Sequence, residues 1–261
     1  MNNRPYPFSL LLAEFFGTAL LLAIGLSIVI LDFGQGSPVV RVVPDPALRR
    51  IITGFLFGST GALIALSPLG KLSGAHINPV VSMAFFIEGK ISFRHAAGYI
   101  VAQLLGGIAG CLPLYLWGRI GGSVAFGATT PGTGYSAWIA ASGEAATTFA
   151  LVILLLVFLG HKRIRRFTPA LLPVLYAVMV LLEAPLSGTS TNPARSLGPA
   201  VISADWRSWW VYWIGPAIGA LAAVAAHRGT WLRALEVEVA KLYHFEHDPH
   251  GVFHRAQGGK V

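Results

Sequence analysis

Charge is scarce in this chain. Of its 261 residues only 11% are Asp, Glu, Lys or Arg, against 54% that are hydrophobic, and the mean hydropathy is +0.65. Soluble domains carry about a quarter charged residues, so an ordinary soluble domain is excluded. Cysteine is scarcer still. The single Cys111 rules out a disulfide framework within the chain, and it lies in an apolar run that tells nothing of the redox compartment. Acidic residues are the minority sign, 11 against 19 Lys and Arg. The resulting pI near 10.0 would point to nucleic acid in a soluble protein. Here the basic residues fall mainly between apolar runs, where they set orientation in a membrane, so no nucleic-acid partner is expected. No metal triad, nucleophile pair or phosphate loop stands out either, so neither an enzyme nor a bound cofactor or metal is expected. A cleavable leader is not evident, because the run from Phe8 to Leu31 is too long for a typical signal peptide and reads as a retained span.

What is abundant is apolar sequence, in six runs at about 8–31, 50–68, 93–117, 139–160, 168–184 and 207–226. Most reach the roughly 17–25 residues that a spanning helix needs. Without water in the bilayer core, each must be helical. Gly and Ala are frequent in them, for example at Gly106-Gly107-Ile108-Ala109-Gly110, as close helix packing in lipid requires.

The pattern repeats. Ala13-Glu14-Phe15-Phe16-Gly17-Thr18 in the first run echoes Gly143-Glu144-Ala145-Ala146-Thr147-Thr148 in the fourth. After the second run comes Ser73-Gly74-Ala75-His76-Ile77-Asn78-Pro79-Val80, and after the fifth Ser187-Gly188-Thr189-Ser190-Thr191-Asn192-Pro193-Ala194-Arg195. Asn is a preferred helix N-cap and Pro a preferred first helical residue, so each box starts a helix. The apolar stretches that follow are short, on the order of 16 Å as helix, about half of a hydrocarbon core. Two half-spanning helices that start near the midplane aim two positive dipole ends at one point. If each Asn oxygen caps its own helix, its NH2 is left as a donor. Three spans per half is an odd number, so the halves insert with opposite orientation and the site lies at their interface. Arg195, three residues past Asn192, shares its helical face, whereas the first half has Val81 there. A lone Arg in the membrane is by default functional. The expected fold is therefore an all-α membrane protein of six transmembrane helices plus two half-spanning Asn-Pro helices, built as an inverted repeat. One membrane domain covers 1–226, with halves at about 8–118 and 139–226.

Orientation follows the basic residues. The densest cluster is His161-Lys162-Arg163-Ile164-Arg165-Arg166. Placing it inside also puts Arg4, Lys71, Lys90, Arg94 and the tail there, and leaves Arg41, Arg49, Arg50, Arg119, Arg195 and Arg207 outside. That bias predicts a multi-pass protein of the plasma (inner) membrane with both termini cytoplasmic. The stretch 32–48, with Pro38, Pro44 and Pro46, reads as an outer loop, and the Gly- and Thr-rich 119–137 as a long outer loop crossing the mouth. In the cytoplasmic tail, 227–261, Trp231, Leu232, Leu235, Val239, Leu242 and Tyr243 have roughly helical spacing, which suits an interfacial helix. His244, His247, His250 and His254 follow, near Glu246 and Asp248, but Pro249 and Gly251 interrupt any helix, so a solvated tail is expected there rather than a metal site.

The paired boxes, and the chain from about 8 to 226 around them, resemble the aquaporin (major intrinsic protein) family, in its bacterial or archaeal type. The resemblance implies a passive water channel that excludes protons and ions, four subunits each with its own pore, and a lipid bilayer around them. It implies that Asn78, Pro79 and Val80 with Asn192, Pro193 and Ala194 form the pore boxes, that Arg195, Thr189 and Val180 belong to a narrow outer filter, and that His76 lines the inner vestibule. Glu14 and Glu144 then brace the box loops, with Gln103 in a similar role. The last filter position falls on Phe57 or Gly58, and an aromatic wall opposite Arg195 favours Phe57. Two departures stand out: Val180 where water-specific members usually carry His, and Val80 where the box usually has Ala. Ser196, Ala200 and the pair Tyr212-Trp213 favour the water branch, while Val180 favours a broader channel for glycerol or dissolved gas. A proton-coupled transporter using Glu14 and Glu144 is the competing class.

Overall fold

Polar residues followed by Pro set most of the short helix starts. Ser37, Asp45, Ser67, Asn78 and Asn192 each accept a hydrogen bond from a backbone amide two residues on, with Pro at the start of the helix. That satisfies donors which the first turn leaves unpaired. The computed structural model describes residues 7–253, and those residues form helices and loops without a strand. In chain order the helices are α1 (Phe8–Phe33), α2 (Pro38–Val42), α3 (Pro46–Leu66), α4 (Pro68–Ser73), α5 (Pro79–Ile87), α6 (Phe93–Cys111), α7 (Gly118–Gly122), α8 (Ala137–Gly160), α9 (Thr168–Ser187), α10 (Pro193–Ser203) and α11 (Val211–Gly229). Arg4 and His254 lie outside the described residues.

The long helices fall on the apolar runs. Five of the helical stretches are long and apolar enough to cross a membrane. The sixth, α11, has 19 residues but includes Tyr212, Trp213, Pro216, His227 and Arg228, which lower its hydropathy. Small residues four apart let helices touch backbone to backbone: Gly106 and Gly110 of α6 on α1, Gly215 and Gly219 of α11 on α8, and Gly54 and Gly58 of α3 on α9. A Cβ at Gly58, for instance, would lie 2.5 Å from the Leu172 carbonyl oxygen. The first two pairs are counterparts in the two halves, and the third joins the halves. The half-length helices α5 and α10, of 9 and 11 residues, start at the boxes between them.

Three regions differ in detail from a plain reading of spans and loops. Residues 32–48 hold the short helix α2, fixed by the Ser37 cap. The third span stops as α-helix at Cys111 and runs on through a 3-10 turn, Leu112–Trp117, into α7, because Pro113 lacks the amide that an α-helix would use. The described part of the tail, 227–253, is not an interfacial helix, and it is solvated only in part: Glu246, Pro249 and His250 are exposed. Beyond α11 it has one 3-10 turn, Trp231–Ala234, and Val237, Val239, Ala240, Lys241, Leu242 and Phe253 are all buried. In Glu236-Val237-Glu238-Val239 the buried and exposed residues alternate, the period of extended chain rather than helix. The end of the bundle that this tail covers, with the loop 161–167, is called the tail face below, and the opposite end the vestibule face.

Candidate pore and its paired loops

Each box loop makes the same tight turn. Gly74 and Gly188 both have φ of +87°, and past them Ala75 and Ile77, like Thr189 and Thr191, also take positive φ. For the β-branched Ile77, Thr189 and Thr191 this is an unusual conformation, held by the surroundings. Glu14 accepts the His76 and Ile77 amides at 3.0 and 2.6 Å. Glu144 accepts the Ser190 and Thr191 amides at 2.7 Å each and the Ser187 hydroxyl at 2.6 Å. Both carboxylates are fully buried. Gln103 donates from Nε2 to Glu14 at 2.7 Å and to Ser82 at 2.9 Å. Two tyrosines repeat the symmetry: Tyr99 donates to the Ser73 carbonyl and Tyr212 to the Ser187 carbonyl, each at 2.8 Å.

The loops also grip each other. Asn78 Nδ2 donates to the Thr191 carbonyl and Asn192 Nδ2 to the Ile77 carbonyl, each at 2.9 Å. Their Oδ1 atoms cap their own helices, at Val80 and at Ala194. The two NH2 groups are therefore not wholly free, as spacing alone suggests: one hydrogen of each is engaged by the other loop, and one remains. Pro79, Val80, Pro193 and Ala194 are buried behind the amides.

Two spaces open along this axis. A narrow cavity of about 40 Å³ is lined by Phe57, Tyr176, both box asparagines, His76 and Leu242, among others. A vestibule of about 320 Å³ on the other side is lined by Thr53, Val180 and Arg195, with Arg50 and Thr129 nearby. The expected filter residues thus divide. Val180 and Arg195 face the vestibule, Phe57 faces the narrow cavity, and Thr189 lines neither. Gly58 seals α3 against α9, so the side chain presented there is Phe57, stacked on Tyr176 with centroids 5.9 Å apart. The split follows helix geometry. Thr53 and Phe57 are one turn apart on α3, and Val180 and Tyr176 one turn apart on the antiparallel α9, so Thr53 shares a level with Val180 and Phe57 with Tyr176.

Arg195 is 5% exposed and donates from Nη1 to the Gly127 carbonyl at 2.7 Å. Among the described residues no carboxylate forms an ion pair with it. Thr129 pairs with the Ser196 hydroxyl at 2.7 Å, and Gly132 donates to the Leu186 carbonyl, so the 119–137 loop does cross the vestibule. His76 Nδ1 meets the Ser82 hydroxyl at 3.1 Å and Nε2 the Ala240 carbonyl at 2.9 Å. Cys111 is buried, its sulfur against Gly198.

Tyr176, Thr53 and Leu242 were not singled out as site residues by spacing. Tyr176, four residues before Val180, carried a usable signal, since that spacing shares a face. Leu242 carried none, because only the folded tail brings it to the cavity. Glu183, a further carboxylate within a span, is buried against Gly143.

The sequence model of the Major intrinsic protein family matches residues 5–227. The chain is 36% identical over 228 residues to a probable aquaporin PIP2-7 of Oryza sativa subsp. japonica, covering 84% of this chain and 77% of that one. It is also 36% identical over 232 residues to a probable aquaporin PIP2-8 of Arabidopsis thaliana, covering 84% and 80%. Among solved structures it is similar to the aquaglyceroporin from Plasmodium falciparum, with a TM-score of 0.70 at 20% identity over 87% of this chain and 98% of that one. At that identity the match speaks for the fold.

Proposed function

The chain belongs to the major intrinsic protein family, and on that premise we propose that it is a passive water channel that excludes protons and ions. The observation that carries the reading is the reciprocal bond between the loops, Asn78 to Thr191 and Asn192 to Ile77. It fixes two amides side by side on one narrow cavity, each with one N–H left for a passing molecule. A water that accepts both bonds turns its hydrogens away from the junction, which interrupts a proton wire. The starts of α5 and α10 add their positive dipole ends at the same place, and Arg195 a full charge on the vestibule side, so cations meet a barrier. The cavity's 40 Å³ holds about three waters at the roughly 10–15 Å³ each requires, which is single file. Its wall is mostly apolar, so water is bound weakly enough to leave.

In this reading Glu14, Glu144 and Gln103 brace the loops, and His76 lines the tail-side approach. Val180 and Arg195 form the outer filter, with Phe57 and Tyr176 as a second narrowing one turn deeper; Thr189, expected in that filter, lines neither space. The protein is an integral membrane protein. We place it in the plasma (inner) membrane with its tail face cytoplasmic, where the basic loop Lys162–Arg166 lies, and as four copies, each with its own pore. A second reading, a channel for glycerol or other small neutral solutes, is favoured by Val180 and by the wide vestibule beside it. Stopped-flow light scattering on reconstituted vesicles separates them. Sucrose shock should give water flux above empty vesicles, and glycerol shock no re-swelling. Fast re-swelling in glycerol would replace the first reading by the second. Saturable uptake that needs a pH gradient would replace both by a coupled transporter.

A further inference from the structure

Residues 236–253 lie across the tail-face end of the narrow cavity. We propose that this segment is an autoinhibitory plug: it docks under the pore with Leu242 in the cavity mouth, and its release opens the water path. The inference rests on the channel reading above. Leu242 is 3% exposed and lines the same cavity as His76, Asn78 and Asn192. Every other residue lining that cavity belongs to the helical bundle or the box loops, so the pore wall is complete without the tail. Leu242 adds an apolar stopper to it.

The grip is on the first box loop itself. Leu242 donates its amide to the Gly74 carbonyl at 3.0 Å, and the Ala240 carbonyl faces His76 Nε2 at 2.9 Å. Between them, Lys241 Nζ donates to the Lys71 and His247 carbonyls at 2.6 and 2.7 Å and lies 4.8 Å from the centroid of the Phe253 ring. Asp248 accepts the Val252 and Phe253 amides, each at 2.9 Å, and so turns the chain back to bury Phe253 beside Lys241. His244 reaches the Leu66 carbonyl at 3.0 Å.

The rim of this contact is ionic and wet. Glu238 pairs with Lys162 at 3.0 Å and Arg165 at 2.7 Å, and Glu236 with Lys90 at 3.5 Å; both carboxylates are about half exposed, at 43% and 53%. Such pairs contribute little each and weaken with salt. Holding Leu242, Val239 and Phe253 away from water therefore supplies most of the docking. The bonds go largely to carbonyls that water can also satisfy once the segment leaves. Helix α11 ends at Gly229, so the segment is tethered by a short irregular stretch rather than by a rigid element.

The test uses the full chain in vesicles. Leu242→Ala shrinks the stopper and Leu242→Asp makes its burial unfavourable. Either should raise water permeability per channel by about tenfold, the factor expected for the lost burial of one Leu. Glu238→Arg should raise it less, and Arg165→Glu in the same chain should restore the slow rate; these sites are on the surface, so the pair holds if Leu242 variants fold poorly. Fast flux that is equal in wild type and all variants would overturn the plug and leave the channel reading intact. No flux above empty vesicles in any of them would overturn the water reading instead. The plug is then judged without flux, by the rate at which Leu242→Cys in a Cys111→Ser chain reacts with a charged maleimide. Reaction at least about tenfold slower than in the denatured chain supports docking, and reaction at the free-thiol rate overturns it.

Discussion

Glu144→Gln keeps the shape of the side chain and removes its charge, which makes it a direct probe of the loop brace. Glu144 Oε1 accepts the Ser187 hydroxyl and the Ser190 amide, while Oε2 accepts the Thr191 amide. A glutamine oriented to keep the first two bonds points its own NH2 at the Thr191 N–H. Hydrogen bonds to a charged group are worth about 1.5–3 kcal/mol, neutral ones about 0.5–1.5, and a buried donor left unpaired costs about 1–3. Weakening two bonds and orphaning one donor therefore costs about 3–5 kcal/mol, a large part of a typical total stability. For a chain of this size each kcal/mol moves Tm by about 2–4 °C, so a fall of about 6–20 °C is expected by thermal-shift fluorescence in detergent. Function should suffer as well. Thr191 is held at φ of +53°, and its carbonyl accepts Asn78 Nδ2, so relaxation of Thr191 misplaces the facing asparagine. Water permeability of the folded fraction should drop, with no proton flux gained or lost. A Tm within about 2 °C of wild type, with unchanged permeability, would refute the brace. A variant that stays stable but loses a pH-gradient-driven flux would instead assign Glu144 to proton transfer.

Three further outcomes are expected. Tyr176→Ala should admit glycerol on hypertonic shock, whereas Val180→His should leave wild-type glycerol exclusion unchanged, because the aromatic pair below Val180 sets the width; a wild type that already passes glycerol and loses it in Val180→His would reverse that assignment. Gly58→Ala forces a Cβ against the Leu172 carbonyl at 2.5 Å and should cost about 1–3 kcal/mol as overpacking, read as a lower Tm; an unchanged Tm would mean that α3 and α9 separate easily. Lys241 in the docked tail is held down to about 8, chiefly by burial, with Lys71 adding to the effect and Asp248 opposing it. The docked form thus binds its proton less tightly than a released lysine at 10.5, so docking strengthens as pH rises through about 8 and carries a constant penalty below it. Water permeability should fall between about pH 8 and 10.5, and Lys241→Met should flatten the profile. A rise over that window would contradict the docked geometry.

Much of this molecule is decided locally, and local patterns are what a sequence displays. The six apolar runs determine the spans because a bilayer leaves their backbone no choice but helix. Asn78-Pro79 and Asn192-Pro193 determine where the half-helices begin because the cap and the first helical residue are adjacent in the chain. The echo of Glu14 in Glu144 marks both braces, since the repeat preserves position even where neighbours differ. The amides were legible as donors, but that each spends one hydrogen on the opposite loop depends on contacts between residues more than a hundred positions apart. The division of Phe57 and Val180 between two levels depends on how antiparallel α3 and α9 are set against each other, which Gly54 and Gly58 fix by contact rather than by pattern. The tail is the clearest case. Its apolar residues fit a helical face on paper, yet their place is decided by an open cavity mouth and by the Gly74 and Lys71 carbonyls beside it. Nothing within the segment encodes those partners; only the folded bundle brings them there.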